Sequence, residues 1–459
     1  MPGLGSPHVE MRLSGDYPEL KYTVQFAESD ASFAARLMER FGITSSWEHK
    51  SGNHILVLTD LAVNHPEIPA GSRPYYGVER LHLAEEEHFN SWKSGARMTT
   101  GAVRLTEYNF KTPFASQEVE RASDAAYAHG QTESYDWPGD YLSQGEGNAV
   151  ADRRLAAQEG QGLRITANGN ISTLGAGGRV TLKGDAIPGA TGRRFICLKA
   201  EHHLRAQVYG TSTLDEHERD YDSTYVMMPD TAPFRLQIRT QKPLIHDPQT
   251  AIVVGKGEID CDEYGRVLVR FHWDLEGAHS MRCRVLQHSA SGEYGGMIIP
   301  RIGMEAVVEF LEGDPDKPLV TGCVYNGSTD RPYQLPSHKT KHVMRADSHE
   351  GQGFNEISFE AQSGRENMAI HAQRDQTIRV LNDQSANISA KGLAQLGDIR
   401  CAEFDCLAGV EAGELRVDYA HPAASSRLNG LVGQRGPIFS PYLPLQSCTK
   451  GLSDFNAST

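Results

Sequence analysis

Few residues of this 459-residue sequence stand at spacings that support chemistry. The run Asp260-Cys261-Asp262-Glu263-Tyr264-Gly265 opens like a calcium loop. Such a loop also needs a ligand at position 5 and a bidentate glutamate at position 12. Counted from Asp260 those positions are Tyr264 and Phe271, so the run reads as a hairpin turn. Nineteen histidines, among them His202-His203 and His49 with His54, include no HExxH or HxH spacing. Neighbours on a strand point to opposite faces, so adjacent pairs make poor chelates. Glu305, Glu309 and Glu312 read as solvent-facing residues along one strand, and Glu85-Glu86-Glu87-His88 as a solvated charge run. No GxSxG elbow, GxxxxGK[ST] loop or GxGxxG fingerprint is present, and Ser289-Ala290-Ser291-Gly292 is loop. Phe271 and Trp273 could stack on a single strand of nucleic acid or on a glycan. They alternate with Val267 and Val269 on one face, however, which points to core. No catalytic, cofactor-binding or metal-binding residue is assigned, and no cofactor is expected.

The elements around these residues are mainly strands. Val267–Trp273, Glu305–Leu311 and Leu319–Tyr325 are apolar runs bounded by Gly, Pro and Asp turns, as in a small β-barrel. Upstream, Tyr17–Phe26 alternates and predicts a strand. Phe33, Leu37 and Phe41 form one helical stripe, with Asp30 as candidate N-cap and Gly42 as the stop. Thr44–His49 and His54–Thr59 predict a hairpin around Lys50-Ser51-Gly52-Asn53. Between Val78 and Tyr209 short strands alternate with Gly-rich turns, with one short helix at Asp152–Glu159 and strands at Gly175–Leu182 and Arg194–His203. The prolines of Pro229–Pro243 suit a semi-rigid linker. Asn355–Arg374 predicts an amphipathic hairpin turning at Ser363-Gly364 and continuing through Thr377–Leu381. A lone hairpin closes no core, so its apolar side needs a neighbour. Residues 385–459 show no repeat period and no sustained alternation.

Composition narrows the function classes. The net charge of −14 repels phosphate, so nucleic acid is not an expected partner. Seven cysteines without a CxxC argue against a disulfide framework or zinc site and for reduced thiols. No run approaches a membrane span, and MPGLGSPHVE has no signal-peptide pattern.

The order DEYGRVLVRFHWDLEG followed by PRIGMEAVVEFLEGDPDKPLVTGCVYN resembles the oligosaccharide/oligonucleotide-binding (OB) domain of VgrG, the spike protein of bacterial type VI secretion systems. VQFAESDASFAARLMERFGI with WEH and HILVLTD resembles the segment of that family similar to the phage baseplate hub. ESYDWPGD resembles the family's Tyr-Asp-Tyr-Pro-Gly turn, with Trp137 replacing a tyrosine. The resemblance implies a mainly β protein: a partial hub-like β-barrel domain with short helices, an OB-fold barrel, and the start of a trimeric β-helical needle. Its expected divisions are a disordered start at 1–14, the hub-like domain at 15–228, the linker at 229–243, the OB domain at 244–336, the needle start at 337–384, and a divergent tail, frameshifted or disordered, at 385–459. The same resemblance places the first residue inside the hub domain. Some phage spikes carry a lysozyme between barrel and needle; here the barrel's last strand ends at Asn326 and the needle follows almost directly.

What the resemblance implies for function is a non-enzymatic spike: a homotrimer seated on the inner-tube protein, sharpened by a cone-shaped tip protein with proline-alanine-alanine-arginine repeats, and carrying effector proteins. It would reside in the cytoplasm before firing and then be secreted without a signal peptide. Three alternatives remain open at this stage. One is a spike with a C-terminal hydrolase effector, for which Asp405 and His421 would be candidates. The second is an OB-type nucleic-acid or glycan-binding module, and the third a non-functional remnant.

Overall fold

The structure, a computed structural model, describes residues 8–50, 52–77, 86–124, 132–184, 187–204, 221–389, 405–411 and 414–420. The chain divides into two compact units, residues 1–330 and 331–459.

The first unit begins with β1 (His8–Arg12), α1 (Asp30–Phe41), β2 (Thr44–Lys50) and β3 (Asn53–Thr59). β2 and β3 form the expected antiparallel hairpin, and β1 adds parallel to β3. The segment 1–14, expected to be a disordered start, therefore contributes an edge strand; residues 1–7 lie outside the described part. Helix α1 is capped by Ser29, not Asp30: the Ser29 Oγ accepts from the Ser32 N–H at 3.2 Å. Asp30 instead sits in the first turn, where a carboxylate complements the helix dipole. Gly42 ends the helix at φ 67°, a left-handed conformation that suits glycine. Tyr17–Phe26 belongs to no sheet. At Val24 side chains take the backbone groups instead: the Val24 N–H donates to Asp316 Oδ1 at 2.8 Å, and the Val24 carbonyl accepts from Arg36 at 2.8 Å.

Nine strands and one helix follow: β4 (Glu67–Pro74), β5 (Phe89–Ala96), β6 (Ala102–Leu105), β7 (Val119–Ala122), β8 (Glu133–Asp136), α2 (Gln144–Glu159), β9 (Leu163–Gly169), β10 (Arg179–Lys183), β11 (Arg194–Leu204) and β12 (Tyr221–Pro229). Six of these strands make one sheet in the order β4-β10-β11-β12-β9-β5. Phe89, Ile165, Leu174, Val180, Leu182 and Tyr225 are fully buried in its core. β7-β6-β8 form a smaller sheet, and Leu105, Val119, Tyr141 and Leu155 of α2 make its core. α2 is twice the length expected at Asp152–Glu159. Gly145 and Gly147 weaken its first turns by propensity, yet a Cβ on Gly147 would lie 2.7 Å from the Tyr141 ring. The glycine is there so that the ring can pack. Ser143 caps the helix by accepting from the Glu146 N–H at 3.3 Å, while Glu146 accepts from the Leu142 N–H at 2.8 Å. Ser-x-x-Glu is the capping pattern that marks this start in the sequence.

Beyond β12 the chain runs without regular structure to residue 248. The connector is held by side chains more than by its prolines: Glu39 of α1 accepts from the N–H groups of Arg239 and Thr240 at 2.8 Å each. The barrel comprises β13 (Gln249–Val254), β14 (Leu268–Phe271), β15 (Arg284–Val285), the short pair β16 (Ala290–Ser291) and β17 (Tyr294–Gly295), β18 (Glu305–Phe310) and β19 (Pro318–Val324). Its five-stranded sheet has the order β14-β13-β18-β19-β15. Ala251, Val253, Val267, Val269, Phe271, Ala306, Val308 and Val320 fill the interior. Charged groups join this barrel to the connector and to loops beside the smaller sheet within the unit. Lys317 Nζ lies 3.1 Å from Asp140 and 3.4 Å from Glu107, and Lys242 Nζ lies 2.6 Å from Asp314.

The second unit contains β20 (Lys341–Asp347), β21 (Phe354–Glu360), β22 (Asn367–His371), β23 (Gln384–Ser389), β24 (Asp405–Glu411) and β25 (Glu414–Ala420). β20-β21-β22 form an antiparallel meander. The expected continuation through Thr377–Leu381 is not a strand. The tail expected to be unpatterned holds, among the described residues, β24, β25 and all but the first residue of β23, with β25 pairing to both β23 and β24. The alternation in Glu414-Leu415-Arg416-Val417-Asp418-Tyr419 was present in the sequence but brief.

Candidate functional site: an exposed apolar sheet face

The residues singled out for chemistry are dispersed and mostly paired. Asp262 accepts from the Arg266 guanidinium at 2.6 Å, and Asp260 from Arg282 at the same distance. Gly265 takes φ 66° in a turn closed by its N–H on the Asp262 carbonyl. The calcium-like run is thus a hairpin turn whose carboxylates are occupied by arginines. His49 and His54 face each other across the hairpin, their Nδ1 atoms 2.8 Å apart. Among the described residues no group of three or more His, Cys, Asp or Glu side chains is placed to hold a metal ion. Glu305 accepts from Asn326 at 2.8 Å, Glu309 is exposed, and Glu312 lies past the strand end in a turn at φ 55°. His202 lies 2.8 Å from the Ser223 hydroxyl. Asp405 starts β24, and His421 lies outside the described residues.

Two expectations need correction. Trp273 does not share the barrel interior. β14 ends at Phe271, and the turn that follows leaves Trp273 38% exposed. It stacks on Phe271 (centroids 4.9 Å apart) and donates to Gln249 at 2.8 Å, so one ring face is occupied. Nor is Glu87 merely a solvated charge. It accepts from Arg73 at 2.6 Å and from Ser172 and Thr173, contacts that hold its carboxyl down to about 2 against the cost of burial.

His65 is the buried counterpart. Its Nδ1 lies 3.1 Å from the Gly177 carbonyl and its Nε2 2.7 Å from the Thr59 hydroxyl. A carbonyl only accepts, so Nδ1 carries the proton and Nε2 receives the Thr59 hydroxyl. Burial, with Arg179 and Arg12 nearby, pushes His65 down to about 4. A histidine depressed on folding stabilises above its unfolded value of about 6.5, and that contribution is lost as pH falls towards 4. Glu87, also depressed, adds a second loss between about 4.5 and 2. Replacing His65 with glutamine is expected to remove most of a roughly 3 kcal/mol loss between pH 7 and pH 4. Hydrogen exchange at the two pH values, corrected for intrinsic rates, measures it; an unchanged pH difference contradicts it.

A feature without a partner among the described residues lies on β20–β22. Cross-strand register aligns Met344, Ile357 and Ile370 in one row, and His342, Phe359 and Met368 in the next. Met344, Ile357, Phe359, Met368 and Ile370 are between 41% and 69% exposed. The opposite face is inverted in polarity yet covered: Glu356 and Ser358 are 6% and 2% exposed. The Tyr333 hydroxyl donates to Glu356 Oε1 at 2.7 Å, and Lys341 lies 4.4 Å over the Tyr333 ring. A sheet that buries carboxylate and serine while exposing five large apolar side chains has the pattern of an interaction surface. Exposed apolar rows on a short sheet are where another chain adds.

Comparison with known proteins bears directly on this face. Residues 342–399 match the bacteriophage T4 gp5 C-terminal trimerisation domain. Residues 249–325 match the type VI secretion system/phage-baseplate injector OB domain, and residues 4–208 the phage tail baseplate hub (GPD). The type VI secretion system spike protein VgrG1a of Pseudomonas aeruginosa is 37% identical over 396 residues, 84% of this chain and 61% of that protein. The chain is homologous to VgrG spike proteins over most of its length. A second relative, the actin cross-linking toxin VgrG1 of Vibrio cholerae, is 33% identical over 386 residues, 82% of this chain and 35% of the toxin. The chain thus spans between about a third and three fifths of these relatives. Among solved structures, the E. coli c3393 protein, a type VI secretion component similar to T4 tail proteins gp27 and gp5, aligns at TM-score 0.42 and 15% identity. That alignment covers 69% of this chain and 66% of the other. The OB barrel and the hub-like and trimerisation segments expected from the sequence are all represented. No helix among the described residues is long and apolar enough to cross a membrane.

Proposed function

We propose that the chain is a structural spike component of a type VI secretion system, working as a homotrimer. The observation that carries this reading is the exposed apolar face of β20–β22, which lies in the segment matching a trimerisation domain. Three chains bury these faces against one another and so begin an intertwined needle, in which interchain ladders satisfy the backbone and resist bending. The hub-like part at 15–228 seats on the inner tube, the linker at 229–243 leads to the barrel at 244–336, and the needle starts at 337–384. A cone-shaped tip protein and effector proteins are its further partners. The chain itself is no enzyme: its work is mechanical, and the matched segments are a hub, an injector barrel and a trimerisation element. It waits in the cytoplasm and leaves by sheath contraction.

Immunoblotting culture supernatants of the host, with and without its contractile sheath, tests this. The expected result is chain in the supernatant that disappears when the sheath is deleted. Release that continues without the sheath overturns the reading.

A further inference from the structure

The apolar face of β20–β22 carries one ionisable side chain. On β20 the face comprises His342, Met344 and Ala346; on β21, Asn355, Ile357 and Phe359; on β22, Met368 and Ile370. Lys341, Arg345, Asp347, Glu356, Glu360 and His371 alternate onto the opposite face. His342 pairs across the ladder with Phe359, which pairs in turn with Met368, and it is exposed in the single chain. Its neighbours two residues along its own strand are Thr340 and Met344. Nothing that faces it from β21 or β22 is charged or titratable.

We propose that His342 makes the docking of further copies of the chain on this face proton-linked. The proposal rests on the trimeric spike reading and adds its regulation. Threefold symmetry sets equivalent residues at one level along the axis, so three His342 side chains enter the same layer beside Phe359 and Met368. A neutral imidazole offers an apolar body with one donor and one acceptor. Three imidazolium ions offer like charges in a desolvated layer whose own face supplies no carboxylate. Desolvation and like charge both oppose the charged form. The assembled state therefore binds fewer protons than the free chains. Association is favoured above the range in which imidazoles gain charge, pH 5 to 8, and is lost as pH falls through it. With up to three protons linked, the association constant falls by as much as ~10³-fold per pH unit.

Sedimentation equilibrium of the full chain between pH 8 and pH 5 tests the proposal, with His342→Leu and His342→Gln alongside. The two replacements differ in polarity, so a folding defect in one leaves the other to report. The expected result is an unaltered protein that is trimeric at pH 8 and dissociates towards pH 5, and variants whose association constant varies at least tenfold less. A trimer of the unaltered chain that is indifferent to pH overturns the proton linkage and leaves the spike reading standing. So does the same pH slope in both variants. A chain monomeric at pH 8 overturns the threefold reading and the linkage with it.

Discussion

Replacing Ile357 with aspartate is expected to leave the chain monomeric at concentrations where the unaltered protein is trimeric. Ile357 sits at the centre of the row Met344–Ile357–Ile370, with Phe359 and Met368 in the adjoining row. Each of these side chains is about half exposed in the single chain. Completing the burial of a half-exposed side chain of this size contributes about 1 kcal/mol, so five contribute on the order of 5 kcal/mol per chain. An aspartate at the centre removes part of that gain. Threefold symmetry also places three carboxylates together in a desolvated layer, where an unpaired charge costs several kcal/mol. Together these effects lower the association constant by at least ~10³-fold, since each 1.4 kcal/mol is a factor of ten. Within one chain the same change is mild, because position 357 faces solvent there and the buried contacts of Glu356 and Ser358 are on the other side. Light scattering distinguishes the two effects. A monomer with unaltered circular dichroism is expected, while Ser363→Asp, in the turn between β21 and β22, stays trimeric. A trimeric Ile357→Asp variant would show that the face is not the interface.

Replacing Arg36 with methionine is expected to open α1 and the segment before it, at a cost of about 3–5 kcal/mol. Arg36 is the most buried residue of α1, and its partner Glu28 is equally buried, each side chain 7% exposed. Arg36 Nε reaches both Glu28 oxygens at 3.0 Å, and Nη2 donates to Glu28 Oε1 and to the Val24 carbonyl at 2.8 Å each. Removing the guanidinium leaves a buried carboxylate and a backbone carbonyl without donors. That loss exceeds the worth of the pair itself. It reaches the barrel too, because the Val24 N–H is held by Asp316 of the turn before β19. Hydrogen exchange by mass spectrometry is the apt readout, since a chain of several domains does not melt as one unit. Peptides covering residues 20–45 should lose at least ~10²-fold of their protection. The double replacement Arg36→Met with Glu28→Gln should regain part of it, because no unpaired charge remains buried. Full protection in the single variant would mean that the pair holds nothing in place.

Acid sensitivity comes from the same principle applied to smaller groups. In the folded state His65 is buried neutral and Glu87 is half-buried and ionised. Falling pH charges the first and neutralises the second, so both losses have the same sign.

The amino-acid sequence by itself determined three of the barrel strands (β14, β18 and β19), α1 with its glycine stop, the β2–β3 hairpin and the β21–β22 hairpin. Each is a run whose hydrophobic period and end residues agree, so local propensity and burial demand the same conformation. It also determined that Met368 and Ile370 share a face with Ile357 and Phe359, since two-residue alternation assigns faces before any partner is known. Tertiary structure decided the rest where local and distant contacts disagree. Tyr17–Phe26 alternates like a strand, but Asp316 and Arg36 take the backbone groups of Val24 that a ladder would have used. α2 runs through Gly147 in its first turns because the Tyr141 ring needs the space a side chain would fill. Trp273 continues the apolar order of its strand yet leaves the barrel, because the backbone turns directly after Phe271. Which face of the β20–β22 sheet the chain covers was decided last. Both faces alternate cleanly in the sequence, and the Tyr333–Glu356 contact, between residues 23 positions apart, covers part of the polar side while the apolar side stays exposed.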